Sequence, residues 1–311
     1  MPMDLAGLAN WITFKLSRDV RVVAQPLKRF SGFVKPEPNF GPNMSLTYQY
    51  TLIGNLLSDG AYIGEYGDVP KTEFPIFKGS LTAAELTQSV DTTWQASTVV
   101  ELNTLQAMVV GLMNSASRLL DKVAAAAFQS ADVIYTPTGT ESSKTGTFAI
   151  GTTTPGATAT RGLKCYDLKN IVDQMKNPWN VPGFGGGDMY VGIASVLANR
   201  TLKDDSEFIE LKRYADPKQA LKGEMGGYYQ VRTLVETNAL NNNMSGGLGE
   251  MIIFGDDPCI EIEIEPLQIQ SSYDPNYGRF KGLRYMWFGG IEKTWQYTYG
   301  AQVRIVRIAS N

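Results

Sequence analysis

The chain of 311 residues contains no histidine and only two cysteines. The absence of histidine excludes Ser-His-Asp and Cys-His nucleophiles, HExxH zinc sites and the commonest general base near neutral pH. Cys165 and Cys259 lie far apart and lack CxxC spacing, which excludes a disulfide framework or a zinc ribbon. Any enzyme built from this sequence would depend on carboxylates, lysine, tyrosine or bound magnesium. We expect no enzyme, no catalytic, cofactor-binding or metal-binding residues, and no cofactor.

Long apolar runs are also lacking, because no stretch approaches the roughly 20 residues that cross a bilayer. The first residues do not resemble a secretion signal, so we expect neither secretion nor contact with a membrane. Hydrophobic residues still make up 43% of the chain, enough for a sizeable core. The formal net charge of −3 is unevenly distributed. Residues 1–35 hold six basic residues and two acidic ones, whereas the remainder is acidic.

The first 60 residues have the pattern of an arm rather than a core. Pro26, Pro36, Pro38 and Pro42 interrupt regular structure because proline fixes φ and removes a backbone donor. A basic, proline-rich and partly apolar segment of this kind usually becomes ordered against a partner surface. After the arm, the β-branched and aromatic flanks of residues 61–101 predict a long hairpin with a polar tip at Ser80 to Asp91, including a helical turn at "LTAAEL".

The strongest periodic signal runs from Leu102 to Phe128, where apolar residues recur every three or four positions. This pattern predicts one continuous helix of about 26 residues. A second helix is predicted from Leu163 to Met175, ending at Asn177 because the residue before a proline is disfavoured in the α region. The segment "MYVGIASV" then reads as a buried strand, and the last third of the chain is predicted to be almost entirely β.

The glycine-rich segment Gly183 to Ile193, "GFGGGDMYVGI", raises the question of a phosphate-binding loop. A dinucleotide fingerprint needs a strand before the glycines and a helix after them, so that the helix N-terminus holds the phosphates. The order here is the reverse, and the third glycine of GxGxxG would fall on Asp188. We interpret the segment as a connector from a helix to a strand.

Carboxylates are grouped at three places. Glu261, Glu263 and Glu265 alternate with isoleucines, which puts them on one face of a strand. We expect that face to contact water or the arginines of a neighbour, and a cation such as Ca²⁺ is the alternative. A calcium loop brings several oxygens around one ion, which an extended strand does not do. Asp204-Asp205 and Asp256-Asp257 raise the possibility of a glycosidase, but adjacent strand residues point to opposite faces. We interpret both pairs as surface-loop residues.

Taken in this order, the elements over about residues 46–308 resemble those of the major capsid proteins of tailed bacteriophages, which share the Hong Kong 97-type fold. The most specific similarity is a "geiG-x-x-x-G-v-r-x-v-E-T" segment, matched from Gly223-Glu224-Met225-Gly226 through "YYQVRTLVET" to Thr237. The similarity is to the branch typified by the podovirus N-four. Before the Val-Arg pair the chain departs from that pattern with Gly227-Tyr228-Tyr229-Gln230.

The resemblance implies an α+β capsid fold with an N-terminal arm at residues 1–60 and an extended E-loop hairpin at 61–101. It further implies a peripheral domain with a long spine helix at 102–162 and 256–311, and an axial domain at 163–255. The implied function is a coat protein that forms an icosahedral shell around double-stranded DNA, assembled in the bacterial cytoplasm and located in the virion.

The partners implied by the resemblance are other copies of the chain in pentamers and hexamers, together with portal, scaffolding and cement proteins. Packaged double-stranded DNA is expected to make weak, non-specific contacts with the shell. Two alternatives are an encapsulin-like cellular compartment, which would enclose a cargo enzyme instead of DNA, and a carboxylate-based enzyme such as a glycosidase.

Overall fold

The computed structural model describes residues 28–38, 40–54, 61–65, 67–69, 71–93, 104–140, 142, 144–215, 227–236, 239–272, 280–298 and 303–311. The described helices are α1 (Thr104–Gln129), α2 (Cys165–Lys176), α3 (Val196–Lys203) and α4 (Ser206–Ala215). The described strands are β1 (Val34–Pro36), β2 (Thr47–Ile53), β3 (Ile76–Thr82), β4 (Ala84–Thr93), β5 (Val133–Thr138), β6 (Thr145–Ile150), β7 (Tyr190–Ser195), β8 (Gly227–Tyr228), β9 (Val231–Glu236), β10 (Met251–Phe254), β11 (Cys259–Ser272), β12 (Phe280–Lys293) and β13 (Ile305–Ile308).

The long helix α1 confirms the periodic apolar pattern, and it contains 26 residues. The predicted second helix is also confirmed as α2, which ends where Asn177 adopts an extended conformation. The predicted strand "MYVGIASV" is β7, and all six of its residues are buried. These elements were predictable because each is specified by a local pattern of apolar residues.

A seven-stranded sheet is the centre of one compact unit, which comprises the described parts of Pro26–Glu85, Arg118–Pro266 and Phe288–Asn311. Its strand order is β6-β5-β13-β10-β7-β9-β8. β13 lies between β5, to which it is parallel, and β10, to which it is antiparallel. β7 pairs with β10 on one side and runs parallel to β9 on the other.

Both faces of this sheet are covered. In β10, Met251 and Ile253 belong to one apolar cluster, whereas Ile252 and Phe254 belong to another. Helix α2 contributes Leu168, Ile171, Val172 and Met175 to the first cluster. The C-terminal part of α1 contributes Ala124, Ala125, Ala127 and Phe128 to the second. A strand that is buried on both faces has apolar residues at successive positions, which explains the apolar sequences "MIIF" of β10 and "YVGIAS" of β7.

A second sheet has the order β1-β11-β12-β4. β1 runs parallel to the start of β11, with Val34 opposite Cys259 and Pro36 opposite Glu261. The other compact unit contains Leu86–Ser117 and Leu267–Trp287. Within it, the Ser115 hydroxyl donates to Gln88 Oε1 at 2.6 Å, and the Thr87 hydroxyl donates to the Tyr285 carbonyl at 2.8 Å.

The hairpin differs from the prediction. Its paired strands are β2 and β3, so the connection between them is residues 54–75 rather than Ser80 to Asp91. The predicted polar tip lies instead in β3 and β4, and "LTAAEL" forms strand with a break at Ala83 rather than a helical turn. Leu81 and Ala83 are buried two residues apart, as expected for a strand with one face on a core. The implied domain bounds remain predictions.

Candidate functional site

The inner face of the β2–β3 hairpin is fixed by its register and by one close contact. Thr47 faces Thr82 and Ile53 faces Ile76, so Tyr50 lies opposite Gly79. A Cβ at position 79 would lie 2.2 Å from Cζ of Tyr50, so only glycine accommodates the tyrosine ring there. Leu81 and Ala83 join Ile260 and Ile262 in a small apolar cluster, which holds the base of the hairpin.

The far end of the hairpin, in contrast, exposes large apolar side chains. Ile53, Val69, Phe74 and Ile76 are between 55% and 70% exposed, and Tyr62 is fully exposed. We call these five residues the distal apolar surface. The hairpin therefore carries large apolar side chains beyond the part that its own core covers, which is typical of a protein-binding surface.

The segment that leads towards the hairpin is anchored to α1. The carboxylate of Asp121 accepts the backbone amides of Arg29 at 3.2 Å and of Phe30 and Ser31 at 3.0 Å. The Phe30 ring is fully buried and lies 5.4 Å from the Phe128 ring. The prediction that the first 60 residues lie outside the core is therefore wrong for this segment. Asp121 was not identified from sequence because its partner amides are about ninety residues away along the chain.

A buried ion pair fixes the start of α2. Both oxygens of Asp167 accept from Arg161, at 2.7 and 2.8 Å, and Oδ1 also accepts the Tyr135 hydroxyl at 2.7 Å. Oδ2 accepts the backbone amide of Lys164 at 2.9 Å, which caps the helix. Burial, followed by the charge of Asp167, raises the pKa of Tyr135, so the phenol stays protonated and donates. The Asp167 carboxylate is thus fully paired, whereas the buried Nε of Arg161 makes no hydrogen bond within the described part of the chain.

Asp204 and Asp205, the first of the two pairs considered for a glycosidase, line a cavity of about 260 Å³. Asp204 follows α3 and Asp205 precedes α4, so the prediction of loop positions is confirmed. Asp205 Oδ2 accepts the backbone amide of Cys165 at 2.7 Å. A hydrogen bond from Lys169 lowers the pKa of Glu207, the third carboxylate in the lining. The acid of a glycosidase has a raised pKa, so Glu207 does not have the property which that role requires.

The second aspartate pair also makes structural contacts. Asp256 Oδ1 accepts the backbone amide of Gly185 at 3.3 Å, and Asp257 lies 3.7 Å from Lys35 Nζ. Gly185 belongs to the glycine segment, which passes from α2 through a 3-10 turn at Phe184–Gly186 into β7. Gly185 and Gly186 have φ values of 67° and 76°, which favour glycine. The interpretation of this segment as a connector is confirmed.

Glu261, Glu263 and Glu265 lie on β11. Of the isoleucines predicted for the opposite face, Ile260 and Ile262 are buried and Ile264 is half-buried. Burial raises the pKa of Glu261, and the charge of Glu263 adds to the shift. Within the described residues, no group of three acidic or cysteine side chains is placed to hold a metal ion. None of the described helices combines the length and apolar character needed to span a membrane.

No protein-family model and no curated protein sequence matches the chain. Solved structures do match it over nearly the whole length. The head structure of Helicobacter pylori bacteriophage KHP40 aligns with a TM-score of 0.76 at 11% identity, covering 99% of this chain and 97% of that one. The acidic stable capsid structure of Helicobacter pylori bacteriophage KHP30 gives 0.73 at 11%, covering 98% and 97%. The capsid of cyanophage Pam1 gives 0.68 at 15%, covering 96% of each chain.

These identities are low, yet each alignment covers at least 96% of the chain with a TM-score of 0.68 or more. The α+β architecture of the chain, with its long helix, extended hairpin and seven-stranded sheet, therefore has the Hong Kong 97-type fold of tailed-phage capsid proteins.

Proposed function

We propose that this chain is a major capsid protein, which assembles into an icosahedral shell around the double-stranded DNA of a tailed phage. The observation that supports this most strongly is the capsid fold over at least 96% of the chain in each of the three structures compared above. The distal apolar surface supports it independently, because a two-stranded hairpin with exposed apolar residues is marginal in water alone. We assign the role of the E-loop to residues 47–82. We further propose that a neighbouring copy of the chain covers the distal apolar surface.

The further partners follow from the same proposal. Copies of the chain form pentamers and hexamers through head-to-tail contacts that close into rings. Portal, scaffolding and cement proteins complete the shell, which is assembled in the bacterial cytoplasm and resides in the virion. The basic residues before position 36 make weak contacts with packaged DNA, whereas the acidic remainder limits tight binding. Membership of the branch typified by the podovirus N-four stays a prediction from the Gly223 to Thr237 motif.

The test combines electron microscopy of the expressed chain with a variant of the distal apolar surface. The triple substitution Tyr62→Ser, Val69→Ser and Phe74→Ser removes about 1.5–3 kcal/mol of burial per side chain at each contact. We expect the subunit to keep the circular dichroism spectrum and melting temperature of the wild type but to form no shells. The matched control, Thr47→Ser with Gln49→Ser, changes polar residues at the hairpin base and should assemble normally.

Normal shells from the triple variant would show that the distal apolar surface is not an assembly contact. Failure of the wild-type chain to form shells or capsomers at high concentration, with or without a scaffold, would contradict the function itself. Shells that enclose a cargo enzyme instead of DNA would support the encapsulin-like alternative.

A further inference from the structure

The C-terminal half of α1, from Arg118 onwards, is fully covered on one side only. Its buried side contributes Ala124, Ala125, Ala127 and Phe128 to the apolar cluster beside the seven-stranded sheet. The opposite side is exposed or half-buried, and its residues recur every three or four positions: Arg118, Leu119, Lys122, Val123 and Ala126. We call these five residues the outer face of α1. A helix that is apolar on most sides is usually covered on most sides, and the described residues leave this face incompletely covered.

The outer face of α1 is positively charged. Arg118 and Lys122 are exposed, lie one helical turn apart, and form no ion pair or hydrogen bond with another described residue. Asp121, the only carboxylate in the sequence of α1, is buried on the other side, where it accepts the backbone amides of Arg29 to Ser31. Two like charges at this spacing repel each other, so the outer face favours a partner that carries carboxylates.

The complementary charge lies beside the distal apolar surface. Glu65, Asp68 and Glu73 are exposed in the connection between β2 and β3, in the same stretch as Tyr62 and other members of that surface. None of the three carboxylates forms an ion pair or hydrogen bond with another described residue. Lys71 is the only basic residue in the sequence of this connection, so the connection is negatively charged.

Several other exposed cations already have acidic neighbours. Arg200 lies 3.9 Å from Asp204 on α3. Lys144 and Lys164 line the cavity near α2 together with three carboxylates. The outer face of α1 differs from these places, because its two cations lie next to apolar side chains and have no carboxylate beside them. It therefore matches the connection in both charge and apolar character.

We propose that the outer face of α1 in one copy of the chain binds the β2–β3 connection of a second copy. The two cations pair with the three carboxylates, and the distal apolar surface covers Leu119, Val123 and Ala126. Within one chain these charges do not pair with each other, so the contact is made between copies. It joins two different surfaces head to tail, which allows a ring to close. The inference rests on the proposed function and names the surface that receives the hairpin.

The experiment reverses the charges of the two surfaces and follows assembly by electron microscopy and sedimentation velocity. Arg118→Glu with Lys122→Glu, and separately Asp68→Lys with Glu73→Lys, place like charges opposite each other. We expect each double variant to raise the protein concentration needed for shells by about tenfold or more, because repulsion replaces attraction at every contact. A chain with all four substitutions has opposite charges again and should form shells near the wild-type concentration.

The matched control is Arg118→Lys with Lys122→Arg, which keeps both charges and should assemble as the wild type does. All four positions are exposed, so each unassembled variant should keep the melting temperature of the wild type. Normal assembly of either double charge reversal would overturn the proposal, and so would a fourfold variant that assembles no better than the two double variants. Both results leave the proposed function standing, because the wild type still forms shells. A wild-type chain that forms no shells would instead contradict the proposed function and this inference with it.

Discussion

Replacing Asp167 by asparagine tests whether the buried cluster at the start of α2 stabilises the subunit. The side chain of Asp167 is fully buried and that of its partner Arg161 is 4% exposed. Asparagine keeps the shape but removes the charge, which leaves the guanidinium unpaired inside the protein. Removing one partner of such a buried pair costs about 3–5 kcal/mol. For a chain of this size we expect the melting temperature to fall by about 10 °C.

The assay is urea unfolding of unassembled subunits, followed by tryptophan fluorescence and by circular dichroism. Asp204→Asn is the matched control, because its side chain is 70% exposed and lies 3.9 Å from the exposed Arg200. We expect this control to change the free energy of unfolding by less than about 0.5 kcal/mol. A double variant with Arg161→Met and Asp167→Leu should recover part of the loss, because it leaves no unpaired charge. If Asp167→Asn lowered the free energy of unfolding by no more than Asp204→Asn does, the buried cluster would not stabilise the subunit as argued.

Four further predictions concern single positions. Burial raises the pKa of Glu261 above its ordinary value of 4.5, so the folded state binds the proton of this carboxyl more tightly than the unfolded state does. The stability that this proton contributes is therefore present at low pH and is lost as the pH rises above 4.5. Glu261→Gln should therefore melt higher than the wild type at pH 7 and equally at pH 3, and equal melting at both would contradict this. Gln230 has a φ of 64° in the turn between β8 and β9, so Gln230→Gly should stabilise by about 1 kcal/mol in urea unfolding, whereas Gln230→Ala should not. At Gly146 a Cβ would lie 1.9 Å from the Tyr135 hydroxyl oxygen, so Gly146→Ala should destabilise by more than about 2 kcal/mol. A Cβ added at Gly111, in α1, would have no atom of the described residues within 4 Å beyond the backbone of its own helix, so Gly111→Ala should stabilise by about 1 kcal/mol. The opposite order of these two variants would show that the packing argument is wrong.

The elements that were predictable from sequence are those specified by their own residues. The three- and four-residue spacing in α1 and the apolar run of β7 are local, and each was placed to within about two residues. The hairpin was misplaced because "LTAAEL" has good helix formers, and its strand conformation comes from pairing with residues distant in sequence. Local propensity was overridden there by tertiary structure.

The functional features were harder to predict. Asp121 looks like an ordinary charged residue on a helix, and only the fold brings the amides of Arg29 to Ser31 to it. The distal apolar surface was missed because the connection was placed at the wrong residues.

The place of β13 in the seven-stranded sheet has a consequence for synthesis on the ribosome. β13 is the last strand described, yet it lies between β5 and β10. Until it emerges, β6 and β5 have no hydrogen-bonded link to β10, β7, β9 and β8. At roughly 5–20 residues per second, the two groups wait several seconds for the strand that joins them. A nascent chain therefore cannot complete this sheet, or offer its finished surfaces to a neighbour, before nearly all of the described sequence has been translated.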